Sequence, residues 1–151
     1  MDDYTYINSS PGTGVANAAT GTIPAPNKGT LTYINCGFVP DSVCIMSYAT
    51  DGSFIRLGTY DLDIDSTYTF GTCAYSPSTI TPLKKEMIKF VVDSSGNIMD
   101  PSSNAPWKSY VARPHPAYDS SGNRTNGFVI TTRSANTDFG STVYWSAIKR
   151  S

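Results

Sequence analysis

Chemistry-bearing side chains are few in this sequence, and the densest group is the acidic run DLDID at residues 61–65. Its alternating aspartates resemble the start of a calcium-binding loop. That loop also requires glycine at its sixth position and an acidic residue at its twelfth, where this chain has Ser66 and Thr72. On a strand, the three carboxylates would instead share one face. We therefore predict a strand or loop edge, with a weak cation site as the alternative.

The single histidine, His115, lies in RPHPAY between two prolines that favour an extended chain. A general base needs an orienting partner and a nucleophile, and the sequence places neither beside this residue. We interpret His115 as a surface or packing residue and predict no catalytic residue in the chain.

Three cysteines, Cys36, Cys44 and Cys73, form no CxxC pair. In a reducing compartment they are interpreted as small buried apolar residues. Cys36 and Cys44 lie symmetrically about Pro40, so a hairpin there would allow a disulfide as the alternative. A zinc site needs a fourth ligand, for which His115 is a poor candidate. No cofactor or metal site is predicted.

The composition excludes several classes of partner. Charged residues make up only 15% of the 151 residues and the net charge is −1, so no concentrated basic surface is available for nucleic acid or anionic membranes. No apolar run approaches the ~20 residues of a membrane span. The start, MDDYTYINSS, lacks the basic and apolar regions of a secretory signal. We expect synthesis in a cytoplasm.

From Thr30 onward the pattern is one of short strands and turns. Each segment is rich in β-branched and aromatic residues. The connections between segments contain the turn-forming pairs Pro-Asp, Asp-Gly and Asn-Gly. The candidate strands are 30–36, 42–48, 53–60, 67–75, 86–92, 107–112, 127–133 and 141–149. Only 82–90 would also pass as a helix. The sequence predicts an all-β fold, an antiparallel β-sandwich of jelly-roll type with about eight strands.

The N-terminal residues 1–29 are predicted to form an extended arm, and residues 30–151 the sandwich. Residues 8–29 contain almost no large apolar side chain and cannot form a core of their own. The segment is either a mobile tail or an arm that orders against a neighbouring subunit. In the second case Tyr4, Tyr6 and Ile7 would anchor it.

Two further features concern surfaces. The pentapeptide DSSGN occurs at 93–97 and again at 119–123, and both copies are predicted to be hairpin loops. The aromatic residues would either stack on sugar rings or fill cores and subunit interfaces, and we favour the second role. In STVYWSAIK, at 141–149, alternation leaves both faces partly apolar. This final strand is therefore predicted to be central or covered by a partner.

Two stretches together resemble a known type of domain. GFVPDSVCIM, at 37–46, and NGFVITTRSANTDFGSTVYWSAIK, at 126–149, resemble the opening and the close of small β-sandwich domains in bacteriophage virion proteins. Such domains occur in tail fibres, head fibres and related surface appendages. The residues that carry the resemblance are Gly37, Phe38, Pro40, Asp41, Val43, Gly127, Phe128, Tyr144, Trp145 and Ala147.

The resemblance implies a virion location and a structural role, with no catalytic residues. It implies a homotrimer that decorates the capsid or forms part of a head or tail fibre, attached to major capsid or tail proteins through the N-terminal arm. Residues expected in structural or interface roles are Phe38, Pro40, Trp107, Tyr144 and Trp145, besides the anchor of the arm. The alternative is a receptor-binding module whose loops around 102–126, with Trp107 and Tyr118, contact host-surface glycans. An enzyme such as a depolymerase is disfavoured, because that chemistry needs paired carboxylates in a groove.

Overall fold

A computed structural model describes residues 4–8, 17–52, 55–76, 79–99, 107–108, 111–133 and 139–150, which contain twelve β-strands and no α-helix. In chain order the strands are β1 (Tyr4–Asn8), β2 (Ala18–Pro24), β3 (Leu31–Asn35), β4 (Ser42–Tyr48), β5 (Ile55–Asp61), β6 (Asp65–Ser76), β7 (Thr79–Glu86), β8 (Phe90–Val92), β9 (Ile98–Met99), β10 (Arg113–Tyr118), β11 (Arg124–Thr131) and β12 (Thr142–Ile148).

The strands form two six-stranded sheets. The first sheet has the order β1-β3-β11-β10-β8-β9, and the second has the order β2-β12-β4-β5-β6-β7. Most neighbouring strands are antiparallel, whereas β1 runs parallel to β3 and β8 runs parallel to β10. The predicted all-β sandwich is confirmed, but the expected number of eight strands is too low.

Two of the additional strands lie within the predicted arm, residues 1–29. β1 is an edge strand of the first sheet, and β2 pairs with β12 along its whole length. Ala19 and Ile23 of β2 are buried in the core. Residues 9–16 lie outside the described part of the chain. A segment without a core of its own has thus become an edge strand, because two buried apolar side chains suffice when the partner strand supplies the rest of the packing.

Another additional strand replaces the only candidate helix. Within 82–90, residues up to Glu86 belong to β7, which pairs antiparallel with β6 from Thr79 opposite Ser76 to Glu86 opposite Tyr68. The predicted strand 86–92 is correspondingly shortened to β8. Pairing with a long neighbouring strand has here decided the conformation, as is usual for segments of weak local preference.

β10 contains two prolines in a stretch that the sequence indicated to be a loop. Pro114 and Pro116 lie where β10 pairs with β11 on one side. On the other side, β8 pairs only with Ala117 and Tyr118. At the prolines, β10 therefore has a strand partner on one side only, and this is the edge situation in which a missing N–H is tolerated.

Two clusters of buried hydrophobic residues stabilise the sandwich. The larger lies between the sheets and includes Ile34, Val43, Ile45, Tyr60, Phe128, Ile130, Val143 and Trp145. The smaller lies on the other face of the first sheet and consists of Leu31, Tyr33, Phe90, Val92, Ile98, Trp107, Ala117 and Val129. Trp107 comes from a single short turn and not from the predicted strand 107–112. Because successive strand residues point to opposite faces, the first sheet is covered on both sides.

Candidate interaction surfaces

The DLDID run forms a tight turn that binds an arginine. β5 ends at Asp61 and β6 begins at Asp65, so the run is a loop edge, which is one of the two forms predicted for it. The Arg150 guanidinium donates hydrogen bonds to Asp61 Oδ1 at 2.9 Å and to Asp63 Oδ2 at 2.8 Å. The bond from Arg150 lowers the pKa of the Asp61 carboxyl. Over the described ranges, no group of three or more metal-ligating side chains is found, and Arg150 already pairs with two of the three carboxylates.

His115 is fully buried in β10 and packs edge-on against the Phe90 ring, with the ring centres 5.6 Å apart. Its Nδ1 accepts a hydrogen bond from the Ile88 N–H at 3.1 Å, so this nitrogen is unprotonated. Burial, aided by the nearby charge of Arg113, lowers the pKa of His115 from 6.5 to about 3. The geometry is that of a packed core residue without access to a substrate.

This burial predicts a pH dependence of stability. The folded state holds His115 neutral, whereas the unfolded chain binds a proton near pH 6.5. The free energy of unfolding should therefore fall by roughly 1.4 kcal/mol for each pH unit below about 6. Urea titrations between pH 7 and pH 4 measure the effect, and His115→Gln should flatten the profile. Equal slopes for the two proteins would contradict the prediction.

The alternative disulfide between Cys36 and Cys44 is wrong, because both thiols are free. Cys36 follows β3 and is buried, and burial raises the pKa of its thiol to about 11. Cys44 lies in β4 with its side chain on the outer face of the second sheet, half-buried. Burial raises its pKa as well. The side chain of Cys73 lies outside the described residues.

The residues predicted for structural or interface roles separate into two groups. The buried group consists of Phe38, Pro40, Trp107 and Trp145. In the second group Tyr6 and Tyr144 are exposed, and Ile7 is half-buried against the core. The side chain of Tyr4 lies outside the described residues.

The outer face of the second sheet carries an unusual concentration of exposed apolar side chains. Among the described residues, ten large hydrophobic side chains are exposed, and seven of them lie on this face. We call these seven residues the second-sheet face: Met46, Tyr48, Ile55, Leu57, Phe70, Tyr144 and Ile148. Contiguous patches of this kind on soluble proteins mark interaction sites.

The register of the strands makes the second-sheet face continuous. Tyr144, Met46 and Leu57 are direct neighbours on three adjacent strands, and Ile55 lies opposite Tyr48. The rings of Tyr48 and Tyr144 stack in parallel with centres 5.9 Å apart. A shallow cavity of about 400 Å³ opens beside Tyr144, and Cys44 contributes to its wall.

Part of the second-sheet face could have been found from the sequence. In β4, the apolar residues Val43 and Ile45 alternate with Cys44, Met46 and Tyr48, so both faces of the strand are apolar. The same signal was recognised in β12 and predicted a central or covered strand. β12 indeed lies between β2 and β4. Which outer side chains adjoin one another depends on pairing that the sequence does not reveal.

A second surface is formed by the two copies of DSSGN. The loop 93–97 joins β8 to β9 and the loop 119–123 joins β10 to β11, so both are hairpin loops as predicted. In each, the aspartate accepts hydrogen bonds from the backbone two and four residues on, and the glycine adopts a positive φ, 83° at Gly96 and 87° at Gly122. Together they border one recess of about 700 Å³ in the first sheet, which we call the loop recess.

Two tyrosines form the wall of the loop recess between these loops. The rings of Tyr6 and Tyr33 stack with centres 5.6 Å apart. Tyr33 donates a hydrogen bond from its hydroxyl to Thr125 Oγ1 at 3.1 Å. A Cβ atom on Gly96 would lie only 1.6 Å from the Tyr6 ring, so only glycine permits this contact. β1 is thereby fixed against the first DSSGN loop.

Comparisons with protein-family models, curated proteins and solved structures found no match. The described part of the chain also contains no helix that is long and apolar enough to span a membrane.

Proposed function

We propose that this chain is a non-enzymatic structural protein of a bacteriophage particle, which assembles as a homotrimer through the second-sheet face. In this role it decorates the capsid or forms a component of a head or tail fibre. The observation that carries the proposal is the clustering of exposed apolar side chains on one sheet. The resemblance of GFVPDSV and NGFVI…VYWSAI to virion sandwich domains supplies the setting.

The difference between the two sheets supports an assembly role. The apolar outer face of the first sheet is covered by Trp107 and its neighbours from the same chain. The second-sheet face has no such cover among the described residues, and its central residues Leu57 and Tyr144 are 40% and 39% exposed. Burying apolar area of this kind stabilises association by roughly 25 cal/mol per Å² before its entropic costs. A further copy of this chain is a suitable cover, because most soluble oligomers are closed homo-oligomers. Around a three-fold axis, the second-sheet face of one subunit would pack against a different surface of the next subunit.

The lateral boundary of the second-sheet face is also suited to an interface. Lys84 on β7 places its ammonium 3.9 Å from the centre of the Tyr68 ring, and also approaches Phe70. At the other side the edge strand β2 presents Thr20 and Thr22. An apolar centre with a polar and cationic rim is the usual anatomy of a protein interface.

A charge introduced in the centre of this face should prevent assembly. We expect Leu57→Glu to convert the trimer to a monomer, because an unpaired carboxylate would have to be desolvated in the interface. Light scattering coupled to size exclusion measures the mass. Ile64→Glu is the matched control, since Ile64 is 81% exposed but lies in the 62–64 turn away from the face. A monomeric wild-type protein, or the same response to both substitutions, would contradict the assignment.

Cys44 provides a native reporter of the same interface. In a Cys73→Ser background, maleimide should label Cys44 several-fold more slowly in the wild-type trimer than in Leu57→Glu, because assembly covers its thiol. Cys36 should stay unlabelled in both proteins, since it is buried in the core with a raised pKa. Equal labelling rates of Cys44 in the two proteins would show that the face stays open in the oligomer.

A further inference from the structure

The loop recess has the size and shape of a small-ligand site and no assigned role. Its volume of about 700 Å³ lies within the ordinary range for such sites. It is lined only by the first sheet and its hairpin loops, with Asn35, Asp93, Met99, Asp119 and Asn126 among the lining residues. No residue of the second-sheet face contributes, so assembly through that face leaves the recess open.

We propose that the loop recess binds a neutral saccharide. Its lining combines an exposed aromatic ring, Tyr6, with short hydroxyl and amide side chains. An aromatic ring packs against the C–H face of a sugar, and amides and hydroxyls bind its hydroxyl groups. The second loop contributes Ser120 and Ser121, and β11 contributes Asn126.

Some polar groups that line the loop recess are bonded within the protein, and others can bind a ligand. Asp93 uses Oδ1 for the Ser95 and Asn97 N–H groups and Oδ2 for the Asn97 amide, so its carboxylate holds the loop in shape. The backbone carbonyl of Asn126 accepts hydrogen bonds from the Cys36 and Gly37 N–H groups, whereas its side chain and the hydroxyls of Ser120 and Ser121 make none to any described residue. Rigid loops that present uncommitted polar groups favour binding, because little conformational entropy is lost.

The charges of the recess define the ligand class. Its described lining contains two carboxylates, Asp93 and Asp119, and no lysine, arginine or histidine. An anionic sugar or a phosphate would be repelled and would find no cationic partner. A calcium ion needs six to eight oxygen ligands, and Asp93 has both carboxylate oxygens engaged within its own loop. A neutral sugar satisfies these groups without adding charge.

The experiment is saturation-transfer NMR of the wild-type protein with glucose, galactose, mannose, N-acetylglucosamine and lactose, and with glucuronic acid as the charged counterpart of glucose. We expect transfer to at least one neutral sugar and none to glucuronic acid. Asn126→Ala should weaken that binding by about tenfold, since an amide that makes two hydrogen bonds is lost. Ser120→Trp, which fills the recess from an exposed loop, should abolish it.

Two controls keep this result separate from the assembly role. Ser95→Ala alters the exposed neighbour of Ser94, outside the recess lining, and should leave sugar binding unchanged. Leu57→Glu should likewise bind sugar as the wild type does, because the recess is formed within one chain. The proposal would be overturned by any of three results: no saturation transfer to any of the neutral sugars, transfer to glucuronic acid as strong as that to glucose, or sugar binding by Ser120→Trp as strong as that of the wild type.

Discussion

Replacing Trp145 by alanine is expected to lower the free energy of unfolding by about 3–5 kcal/mol. The indole is only 3% exposed and meets the Phe128 ring edge-to-face, with ring centres 5.7 Å apart. It thereby joins β12 of the second sheet to β11 of the first. On its own sheet it fills the space above Gly21, where a Cβ atom would lie 2.6 Å from the indole. Gly21 has no side chain that could fill the cavity left by the indole.

The adjacent residue provides the matched control. Tyr144 points to the opposite side of β12 and is 39% exposed on the second-sheet face. Tyr144→Ala should change the free energy of unfolding of the isolated chain by less than about 1 kcal/mol. It should nevertheless weaken the trimer. Chemical denaturation of each variant in a Leu57→Glu monomer background separates folding from assembly, and equal losses at both positions would refute this division of roles.

Deletion of residues 1–29 is expected to abolish cooperative folding, whereas deletion of residues 1–16 should leave a folded sandwich. The longer deletion removes β2, and with it the buried Ala19 and Ile23 that cover β12. It also leaves β12 as an unpaired edge beside an uncovered indole, which favours aggregation. The shorter deletion keeps β2 and removes only the five-residue edge strand β1 from the described residues.

Thermal unfolding followed by circular dichroism, together with light scattering, distinguishes these outcomes. A sharp transition for the 1–16 deletion and none for the 1–29 deletion would show that the part of the chain required for folding begins between residues 17 and 29. A normal transition for the 1–29 deletion would show that β2 is dispensable, and that the arm extends to residue 29 as the sequence predicted. The 1–16 deletion also tests attachment of the protein to the phage particle. It removes the proposed anchor, Tyr4, Tyr6 and Ile7, while β2 stays in place.

The elements predicted best from the sequence are those whose conformation is determined by their own residues and immediate neighbours. For β4, the expected range 42–48 is the observed one, since Pro-Asp precedes it and apolar residues alternate through it. The two DSSGN loops were likewise predicted as hairpin loops, because aspartate and glycine at these positions favour tight turns on their own. Strong local signals and the final fold agree in these segments.

The elements that were missed depend on pairing between distant residues. β2 is made of small and polar residues and becomes a strand through β12, more than a hundred positions away. β10 contains two prolines and is a strand because β11 supplies its hydrogen bonds. The two candidate surfaces have the same origin. Their residues are visible in the sequence, but the sheet order that brings Tyr6 to Gly96, or Tyr144 to Leu57, is set by long-range contacts.

The most direct test of the proposed role is co-sedimentation of the purified protein with phage particles assembled without it. We expect saturable binding, with a number of copies per particle that is a multiple of three and matches the symmetry of the sites. Deletion of residues 1–16 should abolish this binding without unfolding the protein. Failure of the folded wild-type protein to bind such particles at saturating concentration would contradict the proposed structural role in the virion.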